Sequence, residues 1–189
     1  MKDFFGAFSS EFLRPLATLI LPGLLMLVPY AILAFYDLNE IASFTTQNHA
    51  EAVGAICVLS IFLGLVLEDI GAQIEQRLYK RLCKRDSKFS IGKDWYPYLK
   101  ISFSEEPVGQ RYLRTLVMRL KFELGCVPAA LFAILGVCLL RPTWCMKIGT
   151  IMLLAVFGAY MLFEASESIE QTALVRLTLV DVVPTAPKR

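Results

Sequence analysis

Four stretches of the chain carry no Asp, Glu, Lys, Arg or His: residues 15–36, 52–67, 124–140 and 148–163. Inside each stretch the apolar side chains show neither the alternation of a half-buried strand nor the single stripe of a surface helix. A helix rises about 1.5 Å per residue, and about 30 Å of hydrocarbon has to be crossed. The first stretch is long enough alone. The other three recruit flanking residues or thin the bilayer locally. The pattern predicts an all-α, polytopic helical membrane protein with four transmembrane helices. A soluble bundle is disfavoured, because each of its helices would need a polar face.

The predicted order starts with an interfacial amphipathic helix over 1–14, where Phe4, Phe5, Phe8 and Phe12 share one face. Span one follows at 15–36, an outer loop at 37–51 and span two at 52–68. Residues 69–122 form helical stems and a small cytoplasmic cap. Span three covers 123–140, a second outer loop 141–147, span four 148–168 and a cytoplasmic tail 169–189. Span one contains Pro15, Pro22 and Pro29, one every seventh residue, which puts all three on nearly one face. Pro15 suits a first turn, whereas Pro22 and Pro29 strip the carbonyls of Thr18 and Leu25 of their usual donors. Pro22 and Pro29 are therefore the expected bend points.

Composition agrees with this reading. Of the 189 residues, 56% are hydrophobic and 19% charged, against about half and about a quarter in ordinary soluble domains. Basic residues set the orientation. The loop 37–51 has no Lys or Arg, and the loop after span three has only Arg141 and Lys147. The remaining 17 of the 19 basic residues fall in the N-terminus, the middle segment and the tail, which places both termini in the cytoplasm. A net charge of +2 is too small to argue for nucleic acid, so direct contact with it is not expected. Anionic headgroups account for the basic residues better.

Candidate chemistry is sparse. His49 is the single histidine, and the five cysteines form no C-x-x-C pair, so neither a metal centre nor another cofactor is expected. The carboxylates do form a level. Glu68 and Asp69 end span two, Glu123 opens span three, and Glu164, Glu167 and Glu170 follow span four. Arg114, Arg119 and Lys121 lead into span three at the same height. These residues read as a salt-bridged collar that fixes helix packing or contacts headgroups, with Glu123 paired to a neighbouring base. No ionisable residue lies within the four apolar cores, which argues against a proton-coupled pump. Rows of small residues, Ser60–Gly64–Gly71, Gly125–Ala129–Ala133 and Ala155–Ala159, suit close helix packing within or between chains.

The stems are legible from period. Ile70, Ile74, Leu78 and Leu82 recur every fourth residue after span two, and Leu113, Leu116 and Leu120 lead into span three. Between them, YLKISF (98–103) alternates as a short strand would, and Trp95, Tyr96, Tyr98 and Phe103 form the cap's core or a partner surface. The tail from Thr172 is compatible with helix, strand or disorder. The four-span outline is similar to the small membrane subunits of bacterial two-component anti-phage systems such as Kiwa. That likeness lies in architecture and transfers no site residue. It implies a bacterial inner-membrane location. The expected function is non-enzymatic: an oligomeric membrane anchor, sensor or effector that docks a cytosolic protein, with membrane lipids as its other partners. A channel or membrane-permeabilising protein is the first alternative, and a small lipid-active enzyme using the inner-edge carboxylates is the second.

Overall fold

Every regular element among the described residues is helical. The computed structural model describes residues 2–38, 43, 45, 47–90, 96–99, 108–140 and 144–182. We number the elements α1 (Lys2–Asp37), α2 (His49–Arg85), α3 (Tyr96–Leu99), α4 (Val108–Leu139) and α5 (Trp144–Val182). All but the four-residue α3 are long and apolar enough to cross a membrane.

The helix ends have local causes. Lys84 and Arg85 occupy the last turn of α2, where cations oppose the helix dipole. The Asp86 N–H still reaches the Leu82 carbonyl at 2.9 Å, while the Asp86 carboxylate accepts from the Lys88 N–H at 2.9 Å and turns the chain away. At the other end of the bundle, Lys147 Nζ donates to the carbonyls of Cys138 (2.6 Å) and Leu140 (3.2 Å). Those carbonyls close α4 and lack partners within it.

Three boundaries differ from the sequence reading. α1 runs unbroken from Lys2 to Asp37, so the backbone of the segment expected at the interface continues directly into span one. Tyr98 and Leu99 belong to the helical turn α3 and not to a strand; residues 100–103 of the expected strand lie outside the described residues. α5 continues as helix to Val182, well past the expected end of span four. Its extension is held by packing, since Ala165, Ile169, Ala173 and Leu179 are all buried at helical spacing.

α4 is the hub. It packs on α1, α2 and α5, and 61% of its most apolar window is buried, against 6% for α5. α1 and α2 run antiparallel with backbones in direct contact. A Cβ at Gly23 would strike the Ser60 carbonyl, and one at Gly64 would strike the Leu19 carbonyl. Buried Ser60 fits there because its hydroxyl folds back onto the Ile56 carbonyl at 2.7 Å. Pro22 and Pro29, both buried, face α4. Pro22 Cγ lies 3.4 Å from where a Cβ on Gly125 would sit, and Pro29 Cβ 2.8 Å from the same position on Gly136. Tyr30 adds a hydrogen bond from its hydroxyl to the Phe132 carbonyl at 3.0 Å. The proline repeat of span one therefore meets glycines of α4. α4 has its own Pro128, which frees the Leu124 carbonyl, and α2 crosses there: a Cβ on Gly71 would lie 3.2 Å from that oxygen.

Of the small-residue rows, those of α2 and α4 are buried, whereas Ala155 and Ala159 of α5 are exposed. Gly158 instead meets α4, 3.3 Å from the Ala130 Cβ if a Cβ were added. Large apolar side chains cover the outside of the apolar halves, among them Phe62, Leu131, Leu153 and Phe163. A continuous apolar belt of this kind needs lipid rather than water against it.

Candidate functional site

The apolar halves of α2, α4 and α5 end at one level, and each helix then continues as a polar-faced stem. The charged residues at this junction join three helices. Lys121 of α4 donates to Glu68 Oε1 of α2 at 2.5 Å. Arg119 of α4 donates through Nε to Glu123 Oε1, one turn on, at 2.6 Å, and through its other arm to Glu164 of α5. Glu123 is only 4% exposed, and its second oxygen accepts from the Ser168 hydroxyl of α5 at 2.8 Å. The Glu123 hydrogen bond, and then its charge, raise the pKa of the Arg119 guanidinium above its ordinary value, so this arginine stays charged.

Other candidates lie apart from this cluster. Asp69 is exposed on α2. Glu167 is exposed and accepts from its helix neighbour Gln171 at 3.3 Å. Arg114 is exposed and lines a cavity below the collar. Tyr98 lines the same cavity, whereas Trp95 and Phe103 and the side chain of Tyr96 lie outside the described residues.

The cavity, about 490 Å³, is bounded by α1, α2, α4 and α5 and touched by α3. Thr18 of α1 and Glu68 of α2 reach it, as do Leu113, Val117, Leu120 and Lys121 of α4. Glu75 of α2 and Arg176 of α5 line it too, and both also line a second cavity of about 420 Å³ beside Tyr79. Arg176 is 6% exposed. Its Nε donates to the Thr172 carbonyl at 3.3 Å, and its guanidinium lies 6.0 Å from the centre of the Tyr79 ring. Burial pushes the Glu75 carboxyl above its usual range, while the charges of Arg176 and Lys121 pull it back.

Glu75, Arg176 and Ser168 escaped the sequence reading. A signal existed for two of them. Glu75 stands eleven residues beyond Gly64, three helical turns along the face that packs inward. Arg176 interrupts the apolar run ALV-LTLV. A third hollow, about 400 Å³, lies between the stems of α2 and α5, with Arg81 and Arg85 facing Glu167 and Glu170 across Leu78 and Phe163. Among the described residues, no three His, Cys, Asp or Glu side chains gather as metal ligands would. All five cysteines are free thiols. Comparison with protein-family models, curated proteins and solved structures finds no match for this chain.

Proposed function

We propose that this chain is a membrane-anchored docking platform of the bacterial inner membrane. It assembles with further copies of itself and presents its stems to a cytosolic protein. One observation carries the reading: α2, α4 and α5 pass unbroken from apolar halves into stems and are bonded together at the junction by Glu68–Lys121 and Arg119–Glu123–Glu164. Because each stem is a continuous extension of a membrane-crossing helix, a partner bound at the stems is held at the bilayer surface. The hollow with Arg81 and Arg85 offers that partner charges of both signs around an apolar centre. Orientation follows from the partition of basic residues, with both termini and the stems in the cytoplasm. The outline shared with two-component anti-phage subunits makes phage defence the first setting to examine.

Two measurements test the proposal. In spheroplasts, a membrane-impermeant thiol reagent should label exposed Cys145 well before Cys83; the reverse order overturns the orientation. In mild detergent, a protein that co-elutes with the native chain should be lost from the Arg81→Glu, Arg85→Glu double variant at unchanged elution of the platform. If no cytosolic protein co-elutes, or if purified protein conducts ions in liposomes, the docking reading falls.

A further inference from the structure

Three of the four membrane-crossing helices carry apolar stretches that are short for a bilayer. On α2 the stretch lies between Glu51 and Glu68. On α4 it runs from Glu123 to the carbonyls of Cys138 and Leu140, which Lys147 caps, and on α5 from Lys147 to Glu164. At about 1.5 Å per residue each covers about 23–26 Å, and any tilt lowers that height further. Average hydrocarbon is about 30 Å thick. α1 differs, because its charge-free residues 15–36 cover about 32 Å and leave room for tilt.

The polar ends of these short stretches are held by the fold. Glu123 and Glu164 are bonded to Arg119, and Glu68 to Lys121, so the inner charges move toward water only by breaking the collar. At the outer end Lys147 Nζ is engaged by the last carbonyls of α4. α2 starts at His49, just before Glu51, and the Asn48 side chain does not cap its first N–H groups, which therefore need water or headgroups. Between the polar ends α5 is almost bare. Only 6% of its most apolar window is buried, and Leu153, Val156 and Phe163 are all exposed. α1 and α5 both pack on α4 but do not touch each other among the described residues, so lipids meet them on separate flanks.

We infer that the α5 flank is a lipid-selecting surface fitted to short acyl chains, whereas the α1 flank is matched to a bilayer of average thickness. The height between the fixed charges names the occupant of the bare α5 face. A lipid of ordinary length beside α5 either exposes part of its chains to the polar ends or compresses to their spacing, and a shorter lipid does neither. A flank of this kind sorts the protein toward thin regions of the membrane. The inference needs the helices to lie in a bilayer, but neither a docking partner nor a particular orientation.

Tryptophan quenching by brominated lipid tests each flank separately. Trp95 and Trp144 are the two native tryptophans, and both are replaced by phenylalanine. One chain then carries Leu153→Trp on α5 and a second carries Val28→Trp on α1, both at exposed apolar positions where a larger apolar ring meets no neighbour it must displace. Each full-length chain is placed in bilayers that mix brominated eighteen-carbon phosphatidylcholine with plain fourteen-carbon phosphatidylcholine, whose core is about 24 Å thick against about 30 Å. Quenching reports which lipid touches the indole. The shorter lipid should be favoured about twofold at Leu153→Trp and not at Val28→Trp. Partition equal to the bulk mixture at Leu153→Trp overturns the inference, as does the same preference at both positions. Quenching that is absent at Leu153→Trp for every mixture, while Val28→Trp responds, would show a second copy covering α5 and would also overturn it. Loss of the lipid preference leaves the docking reading standing, and failure to find a cytosolic partner leaves the lipid preference standing.

Discussion

Removing the Glu123 carboxylate should loosen the junction between the apolar halves and the stems. In Glu123→Ala the Ser168 hydroxyl loses its acceptor and Arg119 loses one of its two carboxylates. Arg119 is half exposed and keeps Glu164, so its share is that of an exposed pair, about 0.2–1 kcal/mol. Ser168 is buried, and leaving its hydroxyl unmatched costs about 1–3 kcal/mol. The total is about 1–4 kcal/mol, which lowers Tm by roughly 2–16 °C in a chain of this length. Glu123→Gln keeps the side-chain length and an acceptor for Ser168, giving up mainly the ion pair, so it should cost no more than about 4 °C. Cys126 provides the probe, because the residue is 2% exposed and sits one turn beyond Glu123. With the other four cysteines replaced by alanine, the onset of maleimide reaction on heating reports the opening of this region. A Glu123→Ala protein that opens at the native temperature would refute the structural role. A Glu123→Gln protein that opens as early as Glu123→Ala would refute hydrogen bonding to Ser168 as the main term.

Three further perturbations probe other parts of the fold. Gly64→Ala forces α1 away from α2 at the Leu19 carbonyl and should cost about 1–3 kcal/mol in detergent. Gly54→Ala and Gly149→Ala, with open space at the new Cβ, should melt like the native protein, and equal losses at all three sites would refute the close crossing. Lys147→Met leaves the carbonyls of Cys138 and Leu140 without their charged donor and should speed amide hydrogen exchange in the last turn of α4 while leaving the stems protected. Glu75→Gln should stabilise the protein near neutral pH. The folded carboxyl has a raised pKa, so ionising it costs the folded state. That gain should shrink as pH falls through the raised pKa and vanish below the ordinary value of 4.5, where the native carboxyl is protonated in both states. Denaturation curves at pH 4 and pH 7 read the sign, and a gain that grows toward acid would contradict it.

The four apolar stretches were legible because length and the absence of charge are local properties that follow directly from the thickness of hydrocarbon. The stems of α2 and α4 were legible for a similar reason: Ile74–Leu78–Leu82 and Leu113–Leu116–Leu120 advertise a buried face by period alone. The far part of α5 was not legible, because ALVRLTLV suits a strand as well as a helix. Its helix is decided by burial of Ala173 and Leu179 in the bundle and by the approach of Arg176 to the Tyr79 ring of α2, neither of which is local. Sequence also placed Glu68, Arg119, Lys121, Glu123 and Glu164 close in height, since each lies near the end of an apolar run, whereas Arg114 falls below them. It left open who pairs with whom. Lys121 meets Glu68, while Arg119 joins Glu123 to Glu164, because the rotation of each helix about its axis is set by packing.

The proline repeat shows the same division. Spacing alone determined that Pro22 and Pro29 share a face and that each deletes a backbone bond. Tertiary structure decided that this face lies on α4 against Gly125 and Gly136. Only contact can select glycine there, since a side chain on Gly136 would have to occupy space that Pro29 and Tyr30 already fill. The cavity with Glu75, Arg114 and Arg176 belongs wholly to the tertiary level. Its charged residues come from three helices far apart in the chain, and no period within one segment records that they face a common space.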